Sequence, residues 1–198
     1  MNTTRINPFI VSASVLVAFA LGAYLYFNTD VFDRFRATPE DNSSGARTER
    51  ILNEQRKHVI DEEGYFSVLM PQSWEVTMHG PNGDTKSGVT ATTSDFVAGE
   101  GTGVKTGAIV EITSRSSASG EAPSGVVIEE FTARLGGEPA PLRVYRAPDT
   151  STYILFVTKQ QGGIYYDMTM RYNAGAYPEG ENIFNTLLQS MALTPKTS

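Results

Sequence analysis

Residues 164–172 read IYYDMTMRY and carry the clearest alternation in the chain. Apolar and polar side chains fall on opposite sides there, a period typical of a half-buried strand. The mostly apolar stretch 152–159 comes just before it, and the intervening QQGG of residues 160–163 reads as a hairpin loop. The two stretches therefore predict an antiparallel hairpin at the centre of a sheet.

Further strand signals lie on the N-terminal side of this hairpin. Residues 65–70 (YFSVLM) form an apolar run that ends at Pro71, and residues 74–78 alternate. A Pro-Asn-Gly-Asp turn at 81–84 follows, and weaker strands are predicted at 89–93, 108–113 and 142–144. Because short turns join neighbouring strands, we expect a mainly antiparallel sheet.

Helical spacing occurs in two places. Ser124 reads as a helix cap, followed by Val127 or Ile128, Phe131 and Leu135, with a stop at Gly136-Gly137. Near the C-terminus, Ile183, Leu187 and Met191 recur every four residues before Pro195. The sequence thus predicts an α+β domain, residues 63–198, whose mainly antiparallel sheet is covered by two or more helices.

A charge-free stretch lies close to the N-terminus. After a short tail, residues 1–8, residues 9–27 read FIVSASVLVAFALGAYLYF. A helix of this length, at ~1.5 Å per residue, reaches about the thickness of a bilayer's hydrocarbon core. It predicts one transmembrane helix, with the lipid bilayer as its partner. The alternative is a signal peptide cleaved near Ala18 or Ala20, but the apolar run continues past that site.

Small residues recur along this predicted helix. Ser14, Ala18 and Gly22 are spaced four apart and would share one face, where two helices could approach closely and form a homodimer. The other interpretation is that small residues are simply common in such helices. The layout of a signal anchor places the C-terminal domain outside the cytoplasm, in a single-pass protein of the cell membrane.

Residues 28–62 are polar and predict a linker or stalk. A short helix over 47–60 is one interpretation of this segment, and a solvated spacer is the other.

Composition restricts the chemistry. The formal net charge of the 198 residues is -6 and there is no cysteine. Cationic side chains are scattered among acids, so no nucleic-acid surface is expected. The two histidines lack metal-ligand spacing, and the glycine-rich residues 99–107 fit neither phosphate-loop pattern. We therefore expect no catalytic, metal or cofactor residues. Tyr165, on the polar side of its strand, is the candidate partner contact. The other interpretation is that Tyr165 belongs to the core or is covered by a helix.

Two short stretches resemble a known family. The segments YFSVLMPQSWEV (65–76) and FNTLLQSMAL (184–193) are similar to the opening strand pair and closing helix of the PsbP/Mog1-like superfamily. The match has one extra aromatic in Gly64-Tyr65-Phe66-Ser67, and Met191 stands where the family has an aromatic. The resemblance implies an α/β/α sandwich and a binding or assembly role, and it transfers no functional residue.

These observations together predict a membrane-tethered, non-enzymatic accessory or protein-interaction domain of the cell envelope, whose partner is a protein of that envelope. The alternative is an extracytoplasmic sensor domain that binds a small solute or a metal.

Overall fold

The computed structural model describes residues 54–118, 122–149 and 151–194. Within these ranges the chain forms twelve strands and one helix. The strands are β1 (Arg56–Ile60), β2 (Phe66–Pro71), β3 (Glu75–His79), β4 (Thr85–Thr92), β5 (Val97–Ala98), β6 (Val104–Thr106), β7 (Ala108–Arg115), β8 (Val126–Leu135), β9 (Glu138–Arg146), β10 (Thr152–Gln161), β11 (Ile164–Asn173) and β12 (Ala192–Leu193). The helix, α1, spans Gly180–Ser190.

The main sheet has seven strands in the order β3-β4-β7-β11-β10-β9-β8. All its neighbours are antiparallel. At its centre β10 and β11 pair over their full length, from Thr152 opposite Asn173 to Gln161 opposite Ile164. The sequence prediction of an antiparallel hairpin here is confirmed.

One face of this sheet, the inner face, carries the hydrophobic core. A cross-strand row runs along it, in which each residue lies directly opposite the next: Met78, Val89, Ile112, Met168, Val157, Leu142 and Phe131. The middle five are at most 2% exposed. Helix α1 packs against this face through Ile183, Phe184, Leu187 and Leu188, and β2 adds Phe66, Val68 and Met70.

A smaller sheet, β1-β2-β12, borders the core. Strand β1 pairs antiparallel with β2, from Arg56 opposite Pro71 to Ile60 opposite Ser67. Just before β1, the Glu54 carboxylate accepts hydrogen bonds from the Ser73 backbone N–H at 2.6 Å and from its hydroxyl at 3.0 Å. The remaining pair, β5-β6, is the folded form of the glycine-rich residues 99–107 and their neighbours.

The expectation of two or more covering helices is wrong for the described residues. The segment beginning at Ser124 forms strand β8, paired with β9, and α1 is the single helix of those ranges. Gly136 and Gly137 have φ values of 61° and 83°, so they form a tight hairpin turn rather than a helix stop. A bulge between Val127 and Glu129 shifts the alternation, which explains why the apolar spacing imitated a helix.

The predicted linker differs from the structure at its C-terminal end. Arg56–Ile60, at the end of the 47–60 range where a helix was one interpretation, is strand β1 instead. Pairing with β2 supplies the backbone hydrogen bonds that a helix would have made internally. The predicted C-terminal helix is present as α1.

The predicted transmembrane helix, residues 9–27, lies outside the described residues. So does its small-residue face, Ser14, Ala18 and Gly22. Across 54–118, 122–149 and 151–194, no helix combines the length and apolar character needed to cross a membrane.

The packing of α1 leads to a first prediction. Leu188 is 1% exposed in the core, whereas Leu69 on β2 is 38% exposed. We expect Leu188→Ala to lower the free energy of unfolding by about 3–5 kcal/mol, because it leaves a cavity. Leu69→Ala, the matched control, should cost under about 1 kcal/mol. Equal losses in urea denaturation would contradict the placement of α1 on the core.

Candidate functional site

The outer face of the seven-stranded sheet, on the side away from α1, holds the polar residues of the central strands. On β11 these are Tyr165, Asp167, Thr169 and Arg171, which alternate with the core residues. Side chains directly opposite in an antiparallel pair share a face. Strand β7 therefore contributes Arg115, Thr113, Glu111 and Ile109 to the same surface.

Arg115, the last residue of β7, and Asp167 on β11 form an ion pair on this outer face. The Arg115 Nε donates to Asp167 Oδ2 at 2.6 Å, and a terminal guanidinium nitrogen contacts the same oxygen. The two side chains are 11% and 10% exposed. Burial makes the pair costly to separate, because either charge alone would be poorly solvated.

The second oxygen of the same carboxylate has a different environment. Asp167 Oδ1 is buried and accepts no hydrogen bond from any residue that the structure describes. Buried carboxylate oxygens are normally hydrogen-bonded, either to protein groups or to an ordered water. The oxygen thus marks a place where a donor small enough to reach a buried atom, such as a water molecule, would be favourable.

A second, more exposed ion pair lies farther along the same strands. Arg171 Nη2 donates to Glu111 Oε2 at 3.1 Å, with side-chain exposures of 22% and 44%. Thr169 lies directly opposite Glu111. The centre of the outer face is thus a surface of paired charges and hydroxyls.

Tyr165, the predicted partner contact, lies at the end of this surface. It is directly opposite Arg115 on β7 and Gln160 on β10. Its side chain is partly exposed, whereas the neighbouring Tyr166 is fully buried on the inner face. The predicted division of these two tyrosines between opposite faces is confirmed, and the partner contact itself stays a prediction.

An apolar cluster lies on the outer face, on β10, on β9 and on the residue that follows β9. Tyr145, Ala147, Ile154 and Phe156 form a buried cluster separate from the main core. Ile154 lies opposite Arg171, and Phe156 lies opposite Thr169. The charged surface of β7 and β11 therefore borders an apolar cluster whose four members are at most 8% exposed, so the cluster itself offers little apolar area to a partner.

The glycine-rich segment is a closed structural hairpin. The Val104 N–H donates to the Thr152 hydroxyl at 2.8 Å, and the Asn173 side-chain amide donates to the Val104 carbonyl at 3.2 Å. A Cβ on Gly103 would meet the Asp149 carboxylate at 2.5 Å. Desolvation alone would raise the pKa of Asp149, but hydrogen bonds from Thr152 and Ser151 lower it. A carboxylate held in its charged form beside the loop opposes phosphate binding.

A buried polar cluster lies at one end of the inner face. Asp61 Oδ1 accepts the Phe66 N–H at 2.7 Å, and its other oxygen accepts the Ser87 hydroxyl. Ser87 lies 3.0 Å from the Ser114 hydroxyl. These contacts join the end of β1 to β4 and β7, so the cluster has a structural role. Burial, with the charge of Asp61 and then Tyr65, raises the pKa of nearby Tyr166 to about 12.

The described residues contain no candidate metal site. No group of three or more His, Cys, Asp or Glu side chains placed to hold a metal ion occurs among residues 54–118, 122–149 and 151–194. His79 Nε2 lies 2.8 Å from the Thr90 hydroxyl on the outer face, and His58 is exposed on β1.

No protein-family model matches the chain. No curated protein matches it. Among solved structures, the chain is similar to a crystal structure from Bacteroides thetaiotaomicron, with 12% identity and a TM-score of 0.45. That match covers 72% of this chain but only 50% of the other, so this chain spans half the length of that structure.

Two other solved structures are similar over most of their length. A cyanobacterial PsbP from Synechocystis has 13% identity and a TM-score of 0.45, covering 71% of this chain and 93% of that one. A Pseudomonas aeruginosa protein of unknown function has 12% identity and a TM-score of 0.36, covering 73% and 99%. Likenesses at this level assign the chain to no family, and membership of the PsbP/Mog1-like superfamily stays a prediction.

The buried ion pair gives a second prediction. We expect Asp167→Asn to lower the free energy of unfolding by about 3 kcal/mol, because Arg115 keeps its charge and loses its partner. Glu111→Gln, the matched change in the exposed pair, should cost about 0.2–1 kcal/mol. Denaturant unfolding at pH 7 measures both. A loss for Asp167→Asn as small as that of the control would show that the Arg115–Asp167 pair is well solvated.

Tyr166 gives a third prediction, which concerns alkaline stability. Folding raises the pKa of Tyr166 from 10.0 to about 12. The protonated tyrosine therefore contributes fully to the free energy of unfolding below pH 10, and this contribution is lost as the pH rises toward 12. Tyr166→Phe should remove this loss. At pH 7 the substitution should change stability by no more than about 1 kcal/mol, because the hydroxyl has no hydrogen-bond partner among the described residues.

Thermal unfolding of the wild type and Tyr166→Phe at pH 7, 10 and 11.5 tests this. Other tyrosines titrate in both proteins, so the difference between the two curves is the quantity of interest. A difference that stays constant from pH 7 to pH 11.5 would contradict the raised pKa.

Proposed function

We propose that this chain is a membrane-tethered, non-enzymatic accessory domain of the cell envelope that binds a protein partner through the outer face of its main sheet. The observation that carries the proposal is the surface around Tyr165. A partly exposed tyrosine lies there directly opposite Arg115, whose guanidinium is paired with the Asp167 carboxylate. Tyrosine and arginine are enriched where proteins bind one another.

The neighbouring residues support a protein partner. The Arg171–Glu111 pair is partly exposed, so a partner could add hydrogen bonds to it. A sheet face with mixed charge, hydroxyl and aromatic groups fits a protein surface better than a small solute, which needs an enclosing cavity.

Tethering is the part of the proposal that rests on sequence alone. The charge-free residues 9–27 support a retained transmembrane helix, and the polar residues after it support a linker to the domain. An extracytoplasmic position follows from the signal-anchor layout. The extracytoplasmic sensor stays the alternative function.

Site-specific photo-crosslinking of the full-length chain in intact cells tests the proposal. A photo-reactive phenylalanine replaces Tyr165 or Thr169 on the outer face, and Leu69 on β2 serves as the exposed control. We expect the same partner to crosslink from positions 165 and 169 and not from 69. Adding Arg171→Glu should reduce that product, because it leaves two carboxylates where an ion pair stood.

The same cells provide the topology readout. Externally added protease should digest the domain while the chain retains the mass of an uncleaved N-terminus. For a host with an outer membrane, permeabilisation of that membrane alone comes first. Crosslinking no stronger at 165 and 169 than at 69 would overturn the binding face. A domain protected until the inner membrane breaks would overturn the proposed location.

A further inference from the structure

The edge of the main sheet formed by β8 is long and, among the residues that the structure describes, has no strand on its outer side. In the part of the chain that the structure describes, β8 pairs with β9 alone and lies at the end of the strand order. It has ten residues, whereas the opposite edge strand, β3, has five. Val126, Val127 and Phe131 on β8 are 70%, 48% and 43% exposed. An edge of this length exposes backbone groups that favour pairing with another strand.

The residues of β8 divide between the two faces of the sheet. Glu130, Thr132 and Arg134 lie opposite Arg143, Pro141 and Pro139 of β9, whereas Phe131 and Ala133 lie opposite Leu142 and Ala140 of the core. Glu130 and Arg134 are therefore on the outer face, on either side of Thr132. Opposite charges placed equally far from a central residue make a strand complementary to itself when it pairs antiparallel.

We propose that two copies of this chain associate through antiparallel pairing of their β8 strands, with Thr132 of each copy at the two-fold axis. In this register Glu130 lies opposite Arg134 of the second copy, and the symmetry repeats the pair. On the inner face Phe131 lies opposite Ala133 of the second copy, again twice. Favourable cross-strand pairs of this kind stabilise a sheet. Residues Glu129–Leu135, beyond the bulge, form the paired segment.

The charges select this register among the alternatives. A shift by one residue would place inner-face side chains opposite outer-face ones. Centring the pairing on Phe131 puts Glu130 opposite Thr132 and removes both ion pairs. Centring it on Glu130 or on Arg134 brings like charges together at the axis, which is unfavourable.

The surrounding structure already holds Glu130 in position. Arg143 Nε on β9 donates to Glu130 Oε2 at 3.3 Å, and the Glu130 side chain remains 53% exposed. The Arg134 guanidinium donates to the Gly137 carbonyl at 3.0 Å in an exposed contact. Both side chains are therefore oriented by their own chain and accessible to a second copy.

The absence of cysteine allows a clean test by disulfide trapping. Opposite residues in an antiparallel pair have Cα atoms about 4.5–5.5 Å apart, within the range that a disulfide spans. Full-length chain carrying Thr132→Cys is oxidised in membranes and run on a non-reducing gel. Phe131→Cys tests the neighbouring register, and Thr77→Cys, exposed on the opposite edge strand, measures random collision. We expect a covalent dimer mainly from Thr132→Cys.

Charge reversal in the Thr132→Cys protein tests whether the Glu130–Arg134 pairs between the two copies determine the register. Arg134→Glu places carboxylates opposite each other twice, and we expect the dimer yield to fall about tenfold. Adding Glu130→Arg together with Arg143→Glu should restore the yield, because the pairs between copies are recovered with reversed polarity and the pair between residues 130 and 143 is kept. Equal melting temperatures of the variants would show that the fold is intact.

Two outcomes would overturn the proposal. One is a Thr132→Cys dimer yield no greater than that of Thr77→Cys. The other is a folded protein carrying Arg134→Glu, Glu130→Arg and Arg143→Glu that does not regain the dimer lost on Arg134→Glu alone.

Discussion

The fold depends on one continuous contact, the cross-strand row centred on Met168. Met168 lies between Ile112 and Val157 and is fully buried, and the row continues through Val89 and Leu142. Because each member contacts its neighbours on adjacent strands, the row fixes the register of the sheet. A slip of one residue would move these side chains to the outer face and bring polar residues into the core. The positions of the outer-face residues follow directly from this constraint.

The two faces of β11 have different roles: the inner face belongs to the core, and the outer face is the proposed binding surface. The side with Tyr166, Met168 and Met170 is buried against α1 and β2, and the side with Tyr165 and Asp167 carries paired charges. The proposed docking face and the proposed self-pairing edge are different surfaces of the same sheet. One copy could therefore bind its partner protein through the outer face while its β8 strand is paired with a second copy.

The sequence alone predicted the strands whose alternation is regular. Strand β11 and its hairpin with β10 were predicted because alternate residues differ in polarity without interruption. Strand β8 was not predicted, because its bulge breaks the period of two and leaves Ile128, Phe131 and Leu135 at helical spacing. Single-sequence patterns respond to spacing, whereas the choice of strand here depends on pairing with β9, which sequence spacing does not encode. The N-terminal predictions lie outside the described residues.

The sequence predicted the residues that β11 contributes to the candidate site but not their partners on β7. The alternation placed Asp167 and Arg171 on the same side as Tyr165, but their partners Arg115 and Glu111 are more than fifty positions away in sequence. Only the register between β7 and β11 brings them together. The signal available in the sequence was the polar side of β7, where Glu111 and Arg115 are four residues apart.

The attachment of β1 also determines how the domain would respond to mechanical load. The chain enters the described structure at Glu54, at the open end of the β1–β2 hairpin, so tension from preceding residues would act on that end first. A hairpin pulled from its open end unzips one hydrogen bond at a time and resists little force. The two bonds from Ser73 to the Glu54 carboxylate reinforce that end, and Asp61 anchors the far end through Ser87. Separation of the hairpin would therefore begin only after the two bonds between Ser73 and Glu54 break, and it would remove the buried Val59 from the core.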